Sequence, residues 1–331
     1  MILVTGGTGM VGAHVLFECV KKKHKTRAIF RRKESLEKIK ELFLVLAPEQ
    51  PYLFDEIEWV QTDLNDLFNL ENAFREVTYV YHCAAKVSFA QFHEEKLIKT
   101  NVEGTANVVN LCLKYNIRKL AYVSSIASLG AEKNIKLIDE THSWSNTQDH
   151  TPYAYSKYGA ELEVWRASQE GLDVVILNPG VILGAHFWHR SSGTIIERVG
   201  KGLRYYLPGK TAVVALDDVV NVLILLMESS IKNERFILVS ETIPQKVLLD
   251  KIADALNKKR PYFPLSKTLL LLLFIFEKTL DVLMLRKNFL SLSLVEALCN
   301  DQEYDGSKIT SSLSFKYSDT DSVIKKIAAY Y

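Results

Sequence analysis

Residues 1–21 read MILVTGGTGMVGAHVLFECVK: a short apolar run, a glycine-rich turn, then apolar positions at helical spacing. Gly6, Gly9 and Gly12 form a GxxGxxG array at the junction, and no other feature narrows the fold as much. A strand that turns this sharply into a helix must bring two backbones close together. Each glycine removes a Cβ from that crossing. The helix then offers unpaired N–H groups and the positive end of its dipole to whatever lies beyond the strand. A pyrophosphate is the anion that suits such a cradle. Gly6, Thr8, Gly9, Met10, Val11 and Gly12 are therefore expected to bind a dinucleotide. The competing reading is a purely structural glycine turn, and the strand before it and the helix after it favour the ligand.

The same alternation continues along the chain. Strand-like runs lie at 26–30 (TRAIF), 57–61 (IEWVQ), 79–85 (YVYHCAA), 119–125 (KLAYVSS) and 172–180 (LDVVILNPG), with helical patterns between them, including a long helix within 94–115. Near-continuous apolar strands separated by helices imply a parallel sheet covered on both faces. The expected fold class is α/β: a Rossmann-type doubly wound parallel sheet, with a smaller, mostly helical C-terminal substrate-binding region. Residues 1–180 would form the dinucleotide-binding domain, joined again by 211–240 through a helix and a strand (RFILVS, 235–240). Residues 181–210 and 241–331 would build the substrate region.

The second strand ends in AIFRRKE, with no acid where an NAD site usually places one to hold the ribose 2′-hydroxyl. Arg31 and Arg32 suit a 2′-phosphate instead, through charge-assisted paired hydrogen bonds. NADP(H) is expected in preference to NAD(H). The bland alternative for the pair is a solvated basic start to the next helix.

The stretch TPYAYSKYGAE, residues 151–161, sets three tyrosines around one lysine. Pro152 suits the first helical position and Thr151 the cap before it. On a helix, residues four apart share a face, so Lys157 pairs with Tyr153 and not with Tyr155 or Tyr158. A free phenol has a pKa near ~10, and a cation about 4 Å away can supply roughly the 4 kcal/mol that brings it into general acid/base range. YxxxK alone is often just a surface contact. Here YVSSIASLG (122–130) also places Ser124 and Ser125 beyond a strand end, where either hydroxyl could meet a substrate oxygen. Serine, tyrosine and lysine behind a dinucleotide fold make a coherent hydride-transfer site.

With TGGTGMVG, TDL (62–64), HCAA (82–85), TNVEGTANVV (100–109), VSS (123–125), YSKYGAE and NPGVILG (178–184) in this order, the chain resembles the extended short-chain dehydrogenase/reductase family over essentially its full length. The resemblance implies that Asp63 and Leu64 lie along the adenine and that Cys83, Ala84 and Ala85 line the cofactor. It implies that Asn101 holds its helix and a water near Lys157, and that Pro179, Gly180 and Val181 face the nicotinamide. Arg31 matches the arginine of NADP-preferring members, and counting back from Gly130 picks Ser125 over Ser124. Tyr153 and Lys157 would touch both cofactor and substrate chemistry.

Dehydratases of the family place Asp and Glu after the hydroxyl residue, because elimination needs an extra acid and base. Here Ile126 and Ala127 follow, which argues against dehydration. LNPGVILG resembles dihydroflavonol and cinnamoyl-CoA reductases, and HCAAKVSF resembles 3β-hydroxysteroid dehydrogenase relatives. The expected activity is NADPH-dependent reduction of a carbonyl, or the reverse oxidation, on a moderately hydrophobic small molecule. A nucleotide-sugar epimerase with bound NAD and a non-catalytic NADP(H)-sensing binder are the alternatives. Specificity is expected from the loop after Gly184, from Tyr205 and Tyr206, and from the helices after Glu241.

Composition limits the other classes. Net charge is +2, which asks for neither nucleic acid nor an anionic surface. Cys19, Cys83, Cys112 and Cys299 are far apart and read as reduced thiols of a cytoplasmic protein. His186 and His189 lack the companions a metal site needs, so no metal is expected. MILVTGG shows no secretory signal pattern. The segment 265–287, LSKTLLLLLFIFEKTLDVLMLRK, is too short in its uncharged run to span a bilayer. A buried or interface helix is the favoured reading there; a helix on a membrane surface or over an oily substrate is the sharper one. A homodimer through the helices near 94–115 and 153–169 is an expectation of the resemblance.

Overall fold

Alternate side chains along the first strand enter two different cores. Ile2 and Val4 pack with Leu16, Phe17 and Leu223 on one side, while Leu3 packs with Val80, Val108 and Val164 on the other. That division follows from the two-residue period of a strand buried on both faces, and it recurs along the chain: Val175 and Leu177 join the first core, Val174 and Ile176 the second.

The computed structural model describes residues 1–130, 135–147, 149–190, 192–282 and 290–331. Through the first part of the chain the elements are β1 (Ile2–Thr5), α1 (Met10–Lys21), β2 (Thr26–Phe30), α2 (Glu34–Leu46), β3 (Ile57–Gln61), α3 (Leu67–Ala73), β4 (Tyr79–His82), α4 (Glu94–Leu97), α5 (Gly104–Lys114), β5 (Lys119–Val123), β6 (Leu137–Ile138), α6 (Pro152–Gln169) and β7 (Asp173–Pro179). Then follow β8 (Val181–Leu183), α7 (Gly193–Gly200), β9 (Tyr205–Tyr206), β10 (Lys210–Ala215), α8 (Leu216–Glu228), β11 (Glu234–Leu238), β12 (Glu241–Pro244), α9 (Gln245–Ala255), β13 (Phe263–Pro264), α10 (Lys267–Val282), α11 (Leu292–Leu298), β14 (Glu303–Tyr304), α12 (Ser307–Leu313) and α13 (Thr320–Ala328).

The main sheet has seven strands in the order β11-β7-β5-β4-β1-β2-β3, and every pairing is parallel. The chain winds outward from β1 to β3, then returns to β4 on the other side of β1. Ligands of open α/β sheets bind at such a reversal, beyond the carboxyl ends of the strands. The Rossmann-type fold class is thus present as expected.

Two local departures from the sequence pattern bear on the site. The segment 94–115 is not one regular helix: a π-helical turn, Ile98–Glu103, separates α4 from α5 and holds Asn101. After β7, the short strands β8, β10 and β12 form a separate three-stranded sheet, with β10 parallel to β8 and antiparallel to β12. It is β11 that rejoins the main sheet beside β7. The leucine-rich segment forms α10 over 267–282; its remaining positions, 283–287, lie outside the described residues.

Candidate active site

The glycine turn behaves as three distinct constraints. Gly6 has φ +71, a left-handed backbone, and a Cβ there would sit 2.6 Å from the Ala84 amide nitrogen. A Cβ on Gly12 would overlap the carbonyl oxygen of Gly6. Gly9 is looser, its hypothetical Cβ 3.3 Å from that same oxygen. Gly6 and Gly12 are therefore required by the protein's own packing, and Gly9 leaves room for a ligand. Gly9 also caps α1 with no side-chain hydrogen bond, so the first amides of the helix stay available to an anion. Met10 and Gly12 are buried under this turn, while Thr8 and Val11 are partly open. These features fit a dinucleotide pyrophosphate.

Beyond β2, Arg31 and Arg32 are exposed, and the Arg31 guanidinium stands 3.6 Å from the Asp63 carboxylate. Asp63 also accepts the Asn65 amide at 3.0 Å. The Leu64 side chain is 5% exposed, belongs to the core beneath α5, and packs where a Cβ on Gly104 would sit, so only its backbone is free to border an adenine.

Beyond β4, Cys83 and Ala84 are partly open and Ala85 is exposed. Burial pushes the Cys83 thiol up to about 12, against the opposing pull of Lys157, so it lines the site as a neutral group. Below it, Thr5, His82 and Thr105 form a buried chain of hydrogen bonds, 2.6 and 2.9 Å long. Burial, aided by Lys157, holds His82 down to about 3, so its ring is neutral at physiological pH. Asn101 clamps this loop. Its Oδ1 accepts the Lys86 amide at 2.7 Å, and its Nδ2 donates to the Lys86 carbonyl and to Ser156 Oγ, both at 2.9 Å. The side chain ties the loop after β4 to α6, which gives the π-helical turn a structural cause.

The Tyr153 helix begins as its sequence suggests: Pro152 opens it, and the Thr151 hydroxyl accepts the Ala154 amide at 3.2 Å. The Ser125 side chain stands beside the Tyr153 phenol. Burial raises that phenol above its ordinary pKa, and the serine pulls it back. Ser124 is not interchangeable with Ser125. It is buried, and its hydroxyl donates to Glu161 at 2.7 Å. Ser125 is thus the hydroxyl beside the phenol.

Lys157 departs from the expected arrangement. Its ammonium does not reach back to Tyr153 but donates to the Tyr122 hydroxyl and the Val123 carbonyl, each at 2.8 Å. It is 1% exposed, and burial lowers it to about 7, opposed by Glu161 and Cys83. The lowered phenol expected from a Tyr153–Lys157 contact is accordingly absent from this arrangement.

Sequence reasoning missed Glu161, which is 2% exposed. One oxygen accepts from Ser124 (2.7 Å), Ser128 (2.7 Å) and Asn178 (2.8 Å); the other faces Arg235 at 3.3 Å. This carboxylate joins the Ser125 segment, the end of β7 and the helix carrying Tyr153 and Lys157. Its position, one helical turn beyond Lys157, was the available signal. Asn178 leads directly to Pro179, Gly180 and Val181. A Cβ on Gly180 would lie 2.6 Å from the Ala212 carbonyl oxygen, so that bend needs a glycine.

A cavity of about 810 Å³ adjoins the Ser125–Tyr153 pair; Ile126, Ala127, Thr151 and Ala154 form its near side, and residues of 293–304 its far side. Phe89, itself in the lining, meets the Tyr153 ring edge-on at 5.5 Å between centroids. Tyr205 and Tyr206 are not in this lining, and Phe187, from the loop after Gly184, lies instead against His14. His189 pairs with Glu197 at 2.9 Å, and His186 rests on Tyr330. Among the described residues no group of three or more His, Cys, Asp or Glu side chains could hold a metal.

The family model described as NAD dependent epimerase/dehydratase family matches residues 2–238. Tetraketide alpha-pyrone reductase 2 of Arabidopsis thaliana is 28% identical, over 79% of this chain and 83% of its own length. Sterol demethylase protein B of Methylococcus capsulatus is 28% identical, over 78% and 75%. A Synechocystis relative reaches 32%, but over 55% of this chain and 49% of its own length. In fold, the crystal structure of gox2253 superposes with a TM-score of 0.83, at 24% identity over 100% of this chain and 97% of that one.

Proposed function

The chain belongs to the NAD dependent epimerase/dehydratase family, of extended short-chain dehydrogenase/reductase type, and on that premise we propose that it is an NADPH-dependent carbonyl reductase. In the reverse direction it would oxidise an alcohol. The observation that carries this reading is the Ser125 side chain beside the Tyr153 phenol, next to a cavity lined by their chain neighbours Ile126, Ala127, Thr151 and Ala154, with Lys157 buried behind.

The cofactor would rest on Gly6, Thr8, Gly9, Met10, Val11 and Gly12, with Arg31 and Arg32 toward its 2′-phosphate. Cys83, Ala84, Ala85, Pro179, Gly180 and Val181 would border its nicotinamide end. When bound, NADPH supplies the hydride. Tyr153 delivers the proton to the oxygen that becomes the alcohol, and Ser125 donates a hydrogen bond to that oxygen. Lys157, held by Tyr122 and Val123 behind this pair, would favour proton release by turning its ammonium toward the phenolate left behind. Asn101 holds the loop against α6 so that these groups keep their places.

Two features support a reductase working on a moderately hydrophobic substrate. The positions following Ser125 are Ile126 and Ala127, so the extra acid and base that elimination demands are missing from that part of the cavity. Phe89, Ile126, Ala127, Ile135, Ile138, Ala154 and Ala297 give the cavity an apolar share. The names of the Arabidopsis and Methylococcus relatives, an alpha-pyrone reductase and a sterol demethylase component, agree with such a substrate.

The test is NADPH consumption on a panel of aldehydes, ketones, sterols and UDP-sugars, with Tyr153→Phe alongside. Turnover on a carbonyl, nearly lost in Tyr153→Phe, is expected. Undiminished turnover in the variant would remove the assignment, and interconversion of UDP-sugars with retained NAD would point to an epimerase.

A further inference from the structure

The helix α10 has two apolar faces where a surface helix ordinarily has one. Leu270 is buried, and Leu271, Phe274 and Leu280 are half-buried, at the spacing of an inward stripe. The outward side, where charge is normal, carries Leu272 (59% exposed), Leu273 (40%), Ile275 (56%) and Phe276 (58%). Just before the helix, Tyr262 and Phe263 are also exposed, and Phe263 lies across β13–β9 from exposed Tyr205. Large apolar side chains gathered in this way mark an interaction surface.

Exposed lysines stand around it. Lys258 and Lys259 precede the aromatic pair, Lys267 opens α10 and Lys278 lies near its end; all four are exposed, and none forms an ion pair among the described residues. Arg260, between them, is neutralised by Asp254 at 2.8 and 2.7 Å. Glu277 is turned inward, accepting the Leu290 amide at 2.9 Å. Sixteen residues at about 1.5 Å each give ~24 Å, short of the ~30 Å hydrocarbon core. Among the described residues no helix is long and apolar enough to cross a membrane. An apolar helix face with exposed tyrosine and lysines at its margin suits a helix lying flat in a lipid interface.

We propose that α10, with the Lys258–Phe263 approach, docks this protein on an anionic lipid surface. Charge complementarity selects that occupant. In a two-fold contact between copies the same patch faces itself, so it would meet another set of unpaired lysines, whereas anionic headgroups would neutralise them. The placement also has a use. Lys267 of α10 and Ser293, Glu296 and Ala297 of α11 line the cavity beside Ser125 and Tyr153, so the docked element is a wall of that cavity. A lipid-soluble substrate would then be held at the surface from which it is drawn. Docking itself does not depend on the reaction assigned above.

The whole chain is sedimented with vesicles of phosphatidylcholine alone and of phosphatidylcholine with phosphatidylglycerol, at low and high salt. Binding to the anionic vesicles, weakened by salt and by omission of phosphatidylglycerol, is expected. Lys258→Glu/Lys259→Glu should weaken it about tenfold or more, and Leu272→Ser/Phe276→Ser should abolish it. The lysine variant lies outside the helix, so it remains decisive if the helix variant misfolds. Absence of binding, or binding indifferent to both variants, overturns the proposal. So does a dimer in sedimentation equilibrium that the Leu272→Ser/Phe276→Ser variant converts to monomer, because the face would then belong to a second copy. Vesicle binding reads no turnover, so its failure and a failure of the reductase reading are separate results.

Discussion

The Lys157 ammonium is held at 2.8 Å by the Tyr122 hydroxyl, although Tyr153 precedes it by one turn on the same helix. Tyr122 stacks on His82 at 5.3 Å, and burial raises its own phenol well above the ordinary range. Neither neighbour is an anion. The lysine is a buried cation supported by neutral oxygens, with the charge of Glu161 as its main electrostatic help.

That environment has a consequence for stability. The native pKa of about 7 lies below the value near ~10.4 of an unfolded lysine, so between these values the unfolded chain binds more protons. Native stability should therefore rise as pH increases from 7, and the burial penalty is fully present below 7. Relative to Lys157→Met, the parent chain should gain about 2 kcal/mol between pH 7 and 9, read from denaturant midpoints. Parallel pH profiles would show that the ammonium is not desolvated as described.

Glu161 should matter to folding as well as to catalysis. Glu161→Leu leaves Ser124, Ser128 and Asn178 without their common acceptor and Arg235 without its partner carboxylate. Breaking a buried charged network in this way costs about 3–5 kcal/mol. Glu161→Gln keeps an acceptor oxygen and should cost roughly half as much. Chemical denaturation of the three proteins checks the order. A Glu161→Leu protein as stable as the parent would mean that the network is incidental.

The glycine turn separates packing from ligand binding. Gly12→Ala forces a Cβ into the Gly6 carbonyl, and Gly6→Ala adds left-handed strain and a 2.6 Å clash with the Ala84 amide. Each should lose at least about 1–3 kcal/mol of stability. Gly9→Ala meets its nearest neighbour at 3.3 Å and should fold nearly normally while binding NADPH more weakly. Thermal melts with and without NADPH distinguish the cases: the melt of Gly9→Ala should move little without cofactor and respond less to it.

Much of this arrangement could be read from residue order. Glycines after an apolar run, strands without polar interruptions and a Thr-Pro pair before a helical pattern each have one dominant physical meaning, and the sheet and the Tyr153 helix followed. What could not be read depends on contacts distant in sequence. Asn101 sits in a π-helical turn where Lys86 offers it both an amide and a carbonyl, and no local pattern announces that pair. Tyr122 resembles any core residue of a buried strand until Lys157 reaches it. The choice between Ser124 and Ser125 rests on Glu161 claiming the former. For 265–287, apolar content alone does not tell which faces of a helix are buried; in α10 Leu270 is buried while Leu272, Ile275 and Phe276 are exposed.

Cofactor choice should turn on the Arg31–Asp63 pair. At 3.6 Å, with both side chains substantially exposed, it is a weak contact that a 2′-phosphate can displace. A phosphate accepts paired hydrogen bonds from a guanidinium, and charged hydrogen bonds of this kind contribute about 1.5–3 kcal/mol, roughly 10- to 100-fold in affinity. Arg31→Ala should weaken NADPH by that factor and leave NADH little changed. Asp63→Asn removes the competing carboxylate and a nearby negative charge, so it should tighten NADPH while doing little for NADH. Both are read by fluorescence titration of the reduced cofactors. Equal losses for NADPH and NADH in Arg31→Ala would mean that the guanidinium does not face the 2′ position, and the preference for NADPH would then have no basis at the end of β2.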